Sequence, residues 1–225
     1  MKFIKLPTIF QNENVERYYN ILKRKKISFL FKGMFDFFVS LIMILVLSPV
    51  FLILAILIKC SSKGPVIYKQ VRITKYNRKF KIWKFRTMVV NADKIGNSVT
   101  VGNDSRITKI GKFLRKYRLD ELPQLFNILF GQMSFVGPRP EVVKYVDKYS
   151  DEMLATLLVR AGVTCPASIK FKDEAEMLKD VVNVDEAYVN DVLPKKMEYN
   201  YEYLNKFSFF YDIKILFATV LAVFR

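Results

Sequence analysis

The chain has 225 residues, with 37 lysines and arginines against 21 aspartates and glutamates, a formal net charge of +16 and no histidine. The missing imidazole excludes histidine triads, histidine metal sites and imidazole acid–base chemistry, and two cysteines, Cys60 and Cys165, are too few for a zinc site or a disulfide framework. The positive excess asks for an anionic partner, whether nucleic acid, lipid headgroups or a phosphorylated substrate.

In chain order, residues 1–32 form a leader of mixed polar, aromatic and basic character, read as a tether with a short helix at 15–26. Residues 33–59 form the membrane segment. Its apolar centre, FFVSLIMILVLSPVFLILAILI at 37–58, carries no formal charge. About 22 residues at 1.5 Å each reach about 33 Å, enough to cross the hydrocarbon core. Ser48 and Pro49 lie in the middle, where a proline removes a helical hydrogen bond and breaks or kinks the helix. The Ser48 hydroxyl can bond a carbonyl that the proline frees. A kinked span and a helix-break-helix hairpin both fit this pattern. Basic residues flank both ends, Lys23, Arg24, Lys25, Lys26 and Lys32 before and Lys59, Lys63, Lys69 and Arg72 after. Because such residues prefer the cytoplasmic side, the double flank favours re-entry.

Residues 60–225 make one further domain. Residues 66–73 and 80–88 read as two strands joined across 75–78, the second alternating aromatic and basic side chains. A loop at 91–103 precedes a helix at 106–118, capped from Asn103, Asp104 and Ser105, with Ile107, Ile110, Leu114 and Tyr117 on one face. A second helix is expected from Asp120, because Pro123 suits a first turn. There Asp120 and Glu121 read either as a capping pair favoured by the helix dipole or as chemistry. Gly137-Pro138-Arg139-Pro140 is a stiff turn that presents Arg139, whose planar fork suits phosphate oxygens. Short helices follow at 141–149 and 151–159, then a helix-prone stretch at 171–206. The apolar helix at 207–225, carrying Asp212 and Lys214, fits either the bilayer surface or a cover over the domain. The fold class is thus mostly α with a small β-hairpin element: a re-entrant membrane segment plus an α-rich cytosolic domain with interfacial amphipathic helices.

Several ordered motifs make this chain resemble the bacterial sugar transferases, monotopic phosphoglycosyl transferases that act on polyprenol phosphate. They are the Ser48-Pro49 segment, SKGPVIYKQ at 62–70, KFRTM at 84–88, RITKIGKFLR at 106–115, LDELPQLFN at 119–127 and MSFVGPRP at 133–140. The resemblance implies a re-entrant helix and an active site on the cytoplasmic face of the inner membrane. The implied reaction moves a sugar 1-phosphate from a UDP-sugar to polyprenol (undecaprenyl) phosphate and releases UMP, as the first membrane step of exopolysaccharide or other glycoconjugate assembly. It implies Asp120 as the covalent nucleophile, Glu121 as the carboxylate that helps hold Mg²⁺, and Arg115, Arg139 and Arg86 as phosphate-binding arginines. The lipid bilayer is an expected partner, nucleic acid is not, and a homodimer is left open. At 162–169 the chain reads GVTCPASI where many relatives carry a Trp- and Gln-bearing segment, so sugar identity does not carry over. The rival reading is a catalytically inert membrane adaptor that binds anionic lipid or partner proteins through the basic surface.

Overall fold

The computed structural model describes residues 3–92, 104–171 and 183–223. It is mostly helical with a two-stranded antiparallel hairpin, and it adds a short parallel strand pair that the sequence pattern did not announce. The leader is not a loose tether. Helix α1, Glu13–Lys23, starts at Asn12, whose side chain accepts from the Val15 amide at 2.9 Å, a standard N-cap arrangement. Val15, Tyr18, Tyr19 and Leu22 fall on one face at helical spacing. With Leu6 and Phe10 they are buried in the main core beside Leu154, Leu158, Tyr203 and Leu204. Each such apolar side chain contributes about 1.5–3 kcal/mol, more than a tether would forgo.

The apolar segment is two helices, α2 at Lys26–Val46 and α3 at Ser48–Ser61, broken at Leu47. The first therefore starts well before the apolar run at residue 37. The Ser48 hydroxyl donates to the Leu45 carbonyl at 2.8 Å, and Pro49 falls in the first turn of α3, where a missing N–H costs nothing. Helix α2 is long and apolar enough to cross a membrane. The two sides of this pair differ. Met43, Ile44, Leu47 and Phe51 pack against Leu125, Ile128 and Met133, while Leu54 and Ile58 pack against Phe85 and Leu114. The other side leaves Phe38, Ile42, Leu45, Val46, Leu52, Ile53 and Ile56 exposed, more apolar surface than a water-facing helix tolerates.

Charged groups near the start of α2 are buried in protein. Lys32 donates to Asp212 at 2.5 Å and to the Val136 carbonyl at 2.7 Å, and Tyr203 donates to the other Asp212 oxygen at 2.9 Å. Asp36 accepts from the Phe135 amide at 3.1 Å.

The hairpin pairs β1, Ile67–Thr74, with β2, Arg78–Phe85, in the register Ile67↔Phe85 to Thr74↔Arg78. Asn127 extends the edge of β2, accepting from the Trp83 amide and donating to the Lys81 carbonyl, both at 2.9 Å. Helix α4 is Lys109–Lys116, shorter than the expected 106–118. Thr108 supplies its cap, while Asp104 binds Arg106 instead. Gly111 is required where α4 crosses β2's end, because a Cβ there would come within 2.0 Å of the Thr87 carbonyl oxygen. A tight turn, Leu119–Glu121, leads into α5, Gln124–Leu129.

Strand β3, Ser134–Val136, lies parallel to β4, Gly162–Thr164. Their ends meet so closely that a Cβ on Gly162 would sit 2.1 Å from the Gly137 nitrogen. The expected helices at 141–149 and 151–159 reduce to α6, Val143–Val146, and a tight 3-10 stretch, Met153–Leu158. Helix α7 is Pro166–Lys170 and α8 is Val184–Ala187. A π-helical turn, Tyr188–Val192, then runs into α9, Leu193–Lys206. The final helix α10, Phe209–Val223, turns Asp212 and Ile215 inward and leaves Phe210, Phe217, Val220 and Leu221 exposed. Most of the expected loop at 91–103, and residues 172–182 of the helix-prone stretch, lie outside the described residues.

Candidate active site

Asp120 and Glu121 do not open an α-helix, contrary to the expectation from Pro123. They occupy the 3-10 turn between α4 and α5, entered through Arg118 in the left-handed region at φ 56°. That conformation costs an arginine roughly 1–2 kcal/mol, strain of the kind that collects at functional sites. The turn is held from the side of the apolar helices, where Leu119 and Leu122 pack with Leu54 and Ile58 of α3. The acid pair therefore sits where the broken apolar helix meets the domain.

Glu121 is nearly enclosed, with 10% of its side chain exposed, and its Oε1 accepts from Arg139 at 2.7 Å and Lys84 at 2.9 Å. Burial alone would raise its pKa, but these two cations overcome it and hold the carboxyl well below the usual range. Asp120 is 7% exposed. Among the described residues none donates a hydrogen bond to it, and burial pushes its carboxyl upward against the pull of Lys84, Arg115 and Arg118. Its neighbour Glu121 adds to the upward push. Two adjacent carboxyls thus sit in opposite states: one is neutralised by direct ion pairs and the other is buried without a direct partner.

Arg115, at the end of α4, bonds the Thr87 hydroxyl at 3.0 Å and faces Asp120 electrostatically. Arg139 reaches Glu121 from a turn fixed on both sides. Gly137 donates to the Thr164 carbonyl and Gly162 to the Pro138 carbonyl, while Arg72 donates to the Pro140 carbonyl at 3.1 Å. Arg115, Arg139, Asp120 and Glu121 are thus brought together. Arg86 is drawn elsewhere: its Nη2 donates to the carbonyls of Ile58 and Ser62 and to the Ser62 hydroxyl, closing the end of α3. It makes no hydrogen bond to either acid. Ser48 and Pro49 mark the helix break. The sequence reading missed Lys84 as a site residue; its signal was its place in KFRTM, one strand alternation before Arg86.

Among the described residues no cluster of three acids, cysteines or histidines can enclose a metal by itself. The acid pair nevertheless suits Mg²⁺, which is commonly held by one or two carboxylates and completed by substrate phosphates. With Oε1 of Glu121 paired to two cations, Oε2 would be the oxygen to hold such an ion.

A broken apolar hairpin that seats an acid pair among lysine and arginine is an arrangement that suits a protein at an apolar surface with an anionic ligand. The chain belongs to the bacterial sugar transferase family, whose pattern it matches over residues 27–225. It is 40% identical over 200 residues to the UDP-glucose:undecaprenyl-phosphate glucose-1-phosphate transferase of Klebsiella pneumoniae, covering 86% of this chain and 40% of that protein. It is 37% identical to the UDP-N-acetylgalactosamine-undecaprenyl-phosphate N-acetylgalactosaminephosphotransferase of Aeromonas hydrophila, over 86% of this chain and 43% of that one. The chain thus spans about two fifths of the length of these relatives. Against the exopolysaccharide production protein PSS of Rhizobium leguminosarum bv. phaseoli the identity is 35%, over 85% of this chain and 94% of that protein.

Proposed function

We propose that the chain is a phosphoglycosyl transferase that moves a sugar 1-phosphate from a UDP-sugar to polyprenol phosphate and releases UMP. The observation that carries this reading is Asp120: a buried carboxylate with no direct donor among the described residues, ringed by Lys84, Arg115 and Arg118 beside a cation-paired Glu121. The names of the relatives support the same substrates.

In this reading a carboxylate oxygen of Asp120 attacks the phosphorus that carries the sugar, and the bond to the UMP oxygen breaks. An oxygen of polyprenol phosphate then attacks the same phosphorus, restoring the carboxylate and giving polyprenyl diphosphate-sugar. The acyl phosphate divides one transfer between two bulky substrates into two displacements at one small site. The difficulty is charge: a carboxylate 4 Å from a phosphate oxygen meets about 4 kcal/mol of repulsion per unit pair at an effective dielectric near 20. Arg115, Arg139 and Lys84 offset that repulsion and stabilise charge on the departing UMP. Glu121 would be the protein ligand for Mg²⁺, which when bound would supply further neutralisation of the diphosphate.

The break at Ser48-Pro49, with apolar surface on both helices and basic flanks at both ends, supports re-entry from the cytoplasmic face of the inner membrane. Labelling of the Met1 end from outside intact cells would contradict it. The reaction is tested by UMP release across a panel of UDP-sugars with polyprenol phosphate. Activity that survives Asp120→Asn, or a phosphosugar adduct mapped to another residue, would sink the covalent role. Full activity in excess chelator would remove Mg²⁺. An adaptor would show no release and would keep its binding in Asp120→Asn.

A further inference from the structure

The turn that presents Arg139 ends in Glu141, whose side chain points away from the acid pair into the helices of residues 184–206. There Tyr188 donates to Glu141 Oε1 at 2.6 Å, Lys196 reaches the same oxygen at 3.4 Å, and Lys196 donates to the Tyr188 hydroxyl at 2.8 Å. All three residues are buried, at 7%, 2% and 4% exposure. The triangle is reinforced where the Tyr188 ring packs at a tilt against Tyr145, centroids 4.6 Å apart, and lies 5.0 Å from the Lys196 ammonium. Tyr188 opens the π-helical turn, a winding that re-aims side chains and often marks functional places. The Glu141 carbonyl accepts from the Ile73 amide at 3.1 Å, so the residue is held by its backbone to the hairpin and by its side chain to α9.

Burying a carboxylate and an ammonium is expensive, and apolar packing of similar volume would fill the space at no greater cost in stability. Such a network is retained where it fixes a geometry. Two residues away, the geometry in question is that of Arg139, which lies between Glu121 and the cavity that Glu141, Lys196 and Asn200 line.

We infer that Glu141, Tyr188 and Lys196 are positioning residues for Arg139, setting how its guanidinium meets the phosphates of the nucleotide sugar. This rests on the reading proposed above, and it ties the helices of residues 184–206 to donor binding.

The test uses the full chain in detergent, with direct titration of inorganic diphosphate beside steady-state kinetics. Tyr188→Phe removes one hydroxyl and keeps the ring. Diphosphate binding and donor KM should weaken on the order of tenfold, as a displaced phosphate clamp implies, with polyprenol phosphate KM unchanged. Combined with Arg139→Lys, it should cause no further loss, because both changes act through one guanidinium. Lys196→Arg, which keeps the charge, should be milder than Lys196→Met. An unchanged donor KM would overturn the inference, and so would losses that add in the double variant. A fall in thermal midpoint with donor KM and acceptor KM rising in parallel would reduce the network to a structural role and overturn it too. A wild-type chain that releases UMP from no UDP-sugar, yet binds diphosphate in a Tyr188-dependent way, would sink the reaction while leaving the network standing.

Discussion

Two buried ionic clusters hang on the same apolar hairpin and follow opposite rules. At the start of α2, Lys32 and Tyr203 each satisfy one oxygen of Asp212, and the remaining reach of Lys32 goes to the Val136 carbonyl. Nearby Asp36 has its Oδ1 bonded by Phe135 and only Oδ2 without a partner. Against α3, Glu121 takes two cations while Asp120 is enclosed without a hydrogen bond from any described residue, and more positive groups surround the pair than it can neutralise. Direct pairing of a carboxylate with both a cation and a hydroxyl, as at Asp212, marks a joint between elements. An excess of one sign around a buried carboxylate marks a place for a ligand of the opposite sign.

This contrast can be broken most sharply at Asp120. Asp120→Asn should lower sugar-phosphate transfer by about 10⁴-fold or more, with the folded state intact, because the buried carboxylate contributes nothing to closure. UMP release together with a thermal melt checks both halves. Lys32→Met should do the reverse. Leaving Asp212 buried and unpaired should cost about 3–5 kcal/mol in denaturant unfolding, and the loss should be largely recovered in Lys32→Met/Asp212→Leu, where no charge is stranded. Arg139→Lys keeps the charge and loses the fork. Donor kcat/KM should fall about tenfold while stability changes little, since a point charge cannot grip two oxygens in one plane.

The smallest effect expected is at Glu141. Burial raises its pKa, but Lys196, Arg72 and the Tyr188 hydroxyl more than compensate and hold it below the ordinary glutamate value. A carboxyl depressed in the folded state contributes stability above its unfolded pKa, and that contribution is lost as pH falls through the folded value. Wild type should therefore lose stability more steeply than Glu141→Gln below about pH 4, and pH-dependent denaturation reads the difference in slope.

The apolar segment, its break, the hairpin and the acid pair were legible because each rests on a local signal: an uncharged run, a proline with its serine, strand alternation, and a motif fixed in order. What escaped depended on distant partners. The leader's stripe of Val15, Tyr18, Tyr19 and Leu22 has helical spacing, yet the stretch read as a tether, and nothing local says that Leu154 and Tyr203 complete the core. The β3–β4 pair has three residues a strand, too few for a period. Only the facing Gly137 and Gly162 hinted at a close approach. The 3-10 turn under Asp120 follows from a left-handed Arg118, which no propensity argument favours. Lys84 gained its role from Glu121 across 37 positions.

The burial of the leader has a practical consequence for anyone trimming the chain. The family pattern begins at residue 27, but Phe10 and Val15 share a core with Val136, which stands just ahead of the turn that carries Arg139. Cutting at the border of the shared pattern would strip the core from beneath the turn that carries Arg139. The smallest piece of this chain with its main core intact is therefore larger than the segment it shares with its kin.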